Sequence, residues 1–263
     1  MGYTVSVGTH KGGIGKSTVT CVTAWLLASQ GQRTLVVDYD PQGNSTFILT
    51  QSNIYNFTGK TIYEAIQAQN ANSFIQHVSQ NLDLVPAEDF LGLLPRYLYT
   101  EYPDKQNLPL VLAKTLQPVK DQYDWILIDL PPQLGDITVT GIAASDYAIP
   151  LLESSVLCYD ALDRYLETLE AVQTKVSPNL RLLGILPTMV DSRANIDSTI
   201  IDKARNEYGD GVFSTVIKRR ARVKEWTLTG IRNDTREDRE AMKQYESFLK
   251  EVLLRVRQKT PVV

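Results

Sequence analysis

Within eight residues, the stretch Lys11-Gly12-Gly13-Ile14-Gly15-Lys16-Ser17-Thr18 holds three glycines, two lysines and two hydroxyls. Glycines at this density let the backbone approach a phosphate and aim N–H groups at it. The apolar run Tyr3 to Val7 before the stretch reads as a strand. Ser17 to Gln30 after it reads as a helix, with Gly31 at the C-cap position. A helix N-terminus adds a dipole that favours an anion. The chemistry implied is capture of a nucleoside triphosphate, with Lys16 bridging the β- and γ-phosphates and the Ser17 hydroxyl on Mg²⁺. The common pattern for such a loop is G-x-x-x-x-G-K-[ST], and its first glycine would fall where His10 stands. This is therefore a variant loop. A glycine cluster alone would also fit a plain turn. The succession of strand, loop, Lys-Ser pair and helix is what makes the reading specific.

Three carboxylates stand where such a loop would need them. Asp129 ends the apolar run Trp125 to Asp129, and Asp38 and Asp40 close the run Thr34 to Asp38 just before Pro41-Gln42-Gly43-Asn44. Carboxylates at the C-terminal ends of parallel strands face the ligand crevice. Asp129 is placed to hold magnesium through water, and Asp38 or Asp40 to orient an attacking water. A lone Asp after a strand also serves as a turn or helix cap, and for Asp38 the two readings stay open.

Positioning these groups requires alternating elements. Further strands are expected at Leu82 to Pro86, Tyr147 to Leu151, Leu182 to Leu186 and Val212 to Ile217. Helices are expected at Leu110 to Val119, Cys158 to Val176, Ile196 to Glu207 and Arg236 to Arg257. Strands apolar on both faces are covered on both faces. The fold class is α/β, a mostly parallel twisted sheet with helices on both sides. The last helix carries Met242, Tyr245, Phe248, Leu249, Val252, Leu253 and Val256 on one stripe, the pattern of a helix packed on its own domain. With no repeat or linker in sight, the 263 residues read as one domain.

Composition excludes several classes. A net charge of −3 leaves no bulk attraction for nucleic acid or anionic membrane, so any such contact must be local. Cys21 and Cys158 lack metal-ligand spacing and read as packed thiols of a reducing compartment. His10 and His77 are too few for a histidine metal site. There is no charged leader with an apolar core, and no apolar run approaches the ~20 residues that span a bilayer. The expected location is cytoplasmic.

Together these residues resemble the ParA/Soj family of partition ATPases, relatives of the septum-site regulator MinD. The family's deviant Walker A loop, K-G-G-x-G-K-[ST], stands here as KGGIGKS. Its D-x-D-P-Q-G-N stands as DYDPQGN from Asp38 to Asn44. Its Walker B motif ends here in Asp129-Leu130-Pro131-Pro132-Gln133-Leu134-Gly135, and T-M-x-D-S-R-x-N stands as Thr188 to Asn195. The four motifs fall in the family's order, and the resemblance runs from about residue 3 to 255. It implies a P-loop ATPase fold over 1–263, with no N-terminal helix-turn-helix domain because the loop begins almost at once. ATP and Mg²⁺ are the implied cofactors, and the nucleotide-binding residues are Lys11, Gly12, Gly13, Ile14, Gly15, Lys16, Ser17 and Thr18. Ser17, Asp40 and Asp129 are the implied metal residues, and Lys11, Lys16 and Asp40 the catalytic ones. Lys11 matches the signature lysine that reaches a partner's phosphates in an ATP-dependent homodimer, and Asp40 the residue that positions water. Family members bind DNA non-specifically as dimers, associate with the nucleoid, and hydrolyse ATP slowly until a ParB-type partner stimulates them.

One departure stands out. Where family members often read P-R-N-V-R-L-S-E-A near the adenine, this chain has Lys218-Arg219-Arg220-Ala221-Arg222-Val223-Lys224-Glu225-Trp226. Lys218 and Arg220 occupy the positions that help to seat the base. The same stretch is the chain's dense positive run, at the family's DNA-contact position. Lys218, Arg219, Arg220, Arg222 and Lys224 are therefore expected to contact DNA phosphates, together with Arg193, without sequence preference. The rival is a MinD-like membrane-cycling ATPase that docks through the last helix. DYDPQGN is the ParA-like form of the motif, and RVRQKTPVV is no apolar-basic anchor, so no stable membrane association is expected. A reductase carrying a metal cluster lacks paired cysteines here.

Overall fold

A computed structural model describes residues 2–153, 156–191 and 195–258. In chain order the elements are β1 (Tyr3–Gly8), α1 (Lys16–Ser29), β2 (Thr34–Asp38), α2 (Asn44–Thr50), α3 (Ile62–Gln67), β3 (Gln76–Ser79), β4 (Leu82–Val85), α4 (Leu94–Thr100), α5 (Val111–Leu116) and β5 (Trp125–Asp129). Then follow α6 (Asp136–Ala143), β6 (Tyr147–Glu153), α7 (Val156–Lys175), β7 (Arg181–Leu182), β8 (Leu186–Thr188), α8 (Asn195–Tyr208), α9 (Ala221–Thr229) and α10 (Arg236–Gln258). The strands form one sheet in the order β3-β4-β2-β5-β1-β6-β7, with β8 also on β6. Among the described residues only β3 runs antiparallel, at the edge beside β4.

Alternation along the strands explains the layers. In β1, Val5 and Val7 face one core. There they meet Val22 and Leu27 of α1, Trp226 of α9, and Tyr245, Phe248 and Val252 of α10. In β2 and β5, Leu35, Val37, Ile126 and Ile128 face the other core, against Leu112 of α5, Ile142 of α6, and Tyr165 and Leu169 of α7. Both faces are covered, which is why the central strands are apolar throughout. The stripe on α10 is spent on this packing: Met242, Tyr245, Phe248, Leu249, Val252 and Val256 are all buried.

Register decides what the sheet presents. The ends of β2 and β5 pair as Asp38 with Asp129, and Val7 of β1 pairs with Asp129 on the other side. The loop after β1 therefore leaves the middle of the sheet, between the carboxylate that ends β5 and the one that ends β6.

Two expected strands differ. Leu182 to Leu186 is divided into β7 and β8 at Gly184, whose φ is 156°, and a Cβ there would meet Arg255 and Phe213. Val212 to Ile217 makes one isolated bridge, Ile185 with Val212, and the next, Val190 with Lys218, falls just beyond it. The reason is that the Ser214 and Thr215 N–H groups donate to the Glu251 carboxylate of α10, at 2.8 and 3.0 Å, instead of to a strand. The edge strand β3 was not legible, since its Gln76 to Ser79 is polar and half exposed.

Candidate nucleotide site

Gly13 and Gly15 hold φ values of 79° and 88°, a left-handed backbone that glycine adopts without strain. They bend the loop so that Gly15 caps α1 and Lys16 opens it. Ile14 between them is buried in the core, and its carbonyl accepts the Thr188 hydroxyl at 3.1 Å. One apolar anchor and one hydroxyl thus fix the loop at the carboxyl ends of the strands. A cleft of about 850 Å³ opens over it. Gly13, Ile14, Gly15, Lys16, Ser17, Thr18 and Asp40 line it, together with Lys218, Arg219, Arg220 and Lys224 of the basic run. Gly12, Lys11 and Asp129 do not line it.

The acidic residues divide into distinct roles. Asp38 is fully buried, and its Oδ2 accepts both the Thr46 N–H and the Thr46 hydroxyl, each at 2.7 Å. This caps the first turn of α2, so of the two readings open for Asp38 the structure gives the cap. Asp40 is buried at the cleft wall, and its Oδ1 accepts the Gln42 N–H at 3.0 Å. Asp129 is buried beneath the loop. Its Oδ2 accepts the Ser45 hydroxyl at 2.7 Å, and its Oδ1 has no hydrogen-bond partner. Burial, followed by the neighbouring Asp129 charge, pushes Asp38 above the ordinary carboxylate range. Burial also raises Asp129, opposed by the Ser17 and Ser45 hydroxyls and the Lys16 ammonium. A buried carboxylate oxygen without a donor is costly unless something else satisfies it. The hydroxyl of Ser17 and the carboxylates of Asp40 and Asp129 are the oxygen donors that suit a hard divalent cation.

Lys11 points elsewhere. Its ammonium lies 2.8 Å from Glu153 Oε2 at the end of β6, and Arg219 approaches the other Glu153 oxygen at 3.7 Å. Within a single chain Lys11 is thus held by a carboxylate of the same chain. The basic run is also not uniform. Lys218, Arg219, Arg220 and Lys224 are exposed. Arg222 turns inward: its Nε and Nη2 donate to Asp238 at 2.6 and 3.1 Å, and its Nη1 to Glu225 at 2.7 Å. Asp238 is buried and also accepts from Trp226 Nε1 and from Thr235, at the start of α10. The Arg222 bond, ahead of those from Trp226 and Thr235, holds the Asp238 carboxyl well below the usual range. Arg222 ties α9 to α10, which corrects the expectation that the whole run faces outward. Arg193 lies outside the described residues.

Three side chains at the site were missed from sequence. Ser45 and Thr46 directly follow DYDPQGN, and a hydroxyl pair opening a helix beside two acidic strand ends was the available signal. Glu153 ends β6 as Asp129 ends β5. The strand expected from the sequence ends at Leu151, which leaves Glu153 outside it.

Comparisons with known proteins agree with this geometry. The family described as AAA domain matches residues 2–182. The chromosome partitioning protein ParA of Myxococcus xanthus is 35% identical over 86% of this chain and 78% of its own. The chromosome-partitioning ATPase Soj of Treponema pallidum is 32% identical over 97% of this chain and 98% of its own. The cobyrinic acid a,c-diamide synthase of Mycobacterium smegmatis, solved with an ATP analogue and magnesium, superposes with a TM-score of 0.85. It covers 100% of this chain and 98% of its own at 24% identity, a likeness of fold. On the phosphate loop, the acidic strand ends and the matches to ParA and Soj along most of its length, this chain belongs to the ParA/Soj family of partition ATPases.

Proposed function

We propose that this chain is a magnesium-dependent ATPase of DNA partition that dimerises on ATP, binds DNA non-specifically as a dimer, and hydrolyses ATP slowly until a ParB-type partner stimulates it. The observation that carries the reading is one cleft lined both by the loop from Gly13 to Thr18 with Asp40 and by four exposed cations of the basic run. Lys16 and the loop N–H groups hold the phosphates. Ser17, Asp40 and Asp129 hold the magnesium ion, which when bound neutralises charge on the phosphates. Asp40, at the wall of the cleft, orients the water. Lys11 leaves Glu153 to reach the nucleotide of a second protomer. Lys218, Arg219, Arg220 and Lys224 supply phosphate contacts to DNA, and dimerisation doubles their number.

The membrane-cycling alternative receives no support from the last helix, whose apolar stripe is packed on α1 and the sheet. Among the described residues no helix is long and apolar enough to cross a membrane. The test is a DNA mobility shift with a non-hydrolysed ATP analogue and magnesium, beside co-sedimentation with liposomes. DNA binding that needs the analogue is the expected result. Liposome binding without DNA binding would overturn the proposal.

A further inference from the structure

The first turn of α2 closes over the acidic ends of two strands. Gly43, at φ 61°, turns the chain into the helix, and the next residues are Asn44, Ser45 and Thr46. Thr46 saturates Asp38 Oδ2, and its hydroxyl oxygen accepts the Ala87 N–H at 2.9 Å. Ser45, fully buried, donates its hydroxyl to Asp129 Oδ2 at 2.7 Å. Its oxygen in turn accepts from the Cys21 thiol at 3.2 Å, in the helix that follows the phosphate loop. The donor chain is directional, from Cys21 to Ser45 to Asp129. It leaves the Ser45 hydroxyl with one proton and one place to send it.

A carboxylate that holds a metal-bound water needs one oxygen. Its other oxygen, if buried, needs a donor from the protein, or the group rotates and shares both oxygens among whatever donors it meets. Here Oδ2 accepts the Ser45 hydroxyl, while Oδ1 makes no hydrogen bond although the Ser17 hydroxyl lies near the carboxylate. We propose that Ser45 is a positioning residue for the metal carboxylate: it holds Asp129 by Oδ2 so that Oδ1 alone is presented to the water shell of the magnesium ion. The proposal rests on the reading of this cleft as a magnesium-nucleotide site. Ser45 follows Asp40 by five residues, so one short segment carries both the water-orienting carboxylate and the donor to the metal carboxylate.

The test measures the affinity of a fluorescent, non-hydrolysed ATP analogue in EDTA and over a magnesium titration. Ser45→Ala removes the donor, and Ser45→Cys removes most of it while keeping the volume, so a cavity does not account for the result. Both variants are expected to bind the analogue in EDTA within twofold of wild type and to lose at least tenfold of the gain that magnesium gives. In an Asp129→Asn background, Ser45→Ala should add nothing further to that loss, the signature of a residue acting through another. If Asp129→Asn removes the magnesium gain and Ser45→Ala and Ser45→Cys keep it, Ser45 does not position the carboxylate. Equal losses in EDTA and in magnesium would mean that Ser45 only supports the fold, and would also overturn the proposal. If Asp129→Asn itself keeps the full gain, it is the magnesium reading of the cleft that fails, and the proposal with it.

Discussion

Replacing Arg219 and Lys224 together, beside Arg222 alone, separates the outward part of the basic run from its inward part. Within the run each protomer exposes four cations, Lys218, Arg219, Arg220 and Lys224, whereas the Arg222 guanidinium is bonded to Asp238 and Glu225. From the run a dimer therefore offers about eight phosphate contacts, and these contribute about −7 to the slope of the log of affinity against the log of salt. Over a fourfold rise in salt, that is a loss of about 10⁴ in affinity. Arg219→Ala with Lys224→Ala removes up to four contacts per dimer. The run's contribution to the slope should fall to about −3.6, and its part of the loss over the same rise in salt to about 10². Arg222→Ala should leave the slope unchanged, because that guanidinium is committed within the chain. The assay is a mobility shift over a salt series with the ATP analogue present, well below the melting temperature of each variant. Analogue affinity is measured in parallel, because Arg219 and Lys224 also line the cleft. An unchanged slope in the double variant would refute the assignment. A slope reduced by Arg222→Ala would refute the division drawn from the Asp238 contacts.

Lys16→Ala should weaken binding of the ATP analogue roughly ten- to a hundredfold through loss of a charge-assisted contact; titration of the fluorescent analogue measures it, and an unchanged affinity would remove Lys16 from the phosphate site. Lys11→Ala should spare analogue binding by the monomer and prevent ATP-dependent dimerisation, read by light scattering; a normal dimer would sink the partner-phosphate role. Asp40→Asn keeps an acceptor for the Gln42 N–H and should retain nucleotide and DNA while phosphate release falls roughly 10²- to 10⁴-fold; release at the wild-type rate would assign water orientation to another residue. The depressed carboxyl of Asp238 stabilises the fold fully above the ordinary unfolded value near ~3.9, and that stabilisation is lost as pH falls below it. Asp238→Asn should therefore be less stable than wild type at pH 7, with the difference shrinking from about pH 5 towards pH 3 in urea melts; a difference constant with pH would contradict the Arg222 pairing.

What the sequence determined by itself was local. Seven residues from Lys11 to Ser17 carried the phosphate loop, because glycine spacing and a following helix are properties of consecutive residues. The apolar runs ending in Asp38 and Asp129 carried two central strands and their direction of use, because burial on both faces shows in composition. The stripe from Met242 to Val256 likewise predicted its own burial. The tertiary structure decided which charges meet. Lys11 finds Glu153 across 142 positions, Ser45 finds Asp129 across 84, and Arg222 finds Asp238 across 16, in another helix. Each pairing depends on strand order or helix packing, which no run of neighbouring residues encodes. In the sequence Arg222 was one of five similar cations. Packing of α9 on α10 set it against a buried carboxylate, where an ion pair costs less than leaving Asp238 without a partner. For the same reason Val212 to Ile217 reads as a strand, yet the Glu251 carboxylate of α10 takes the Ser214 and Thr215 N–H groups in its middle.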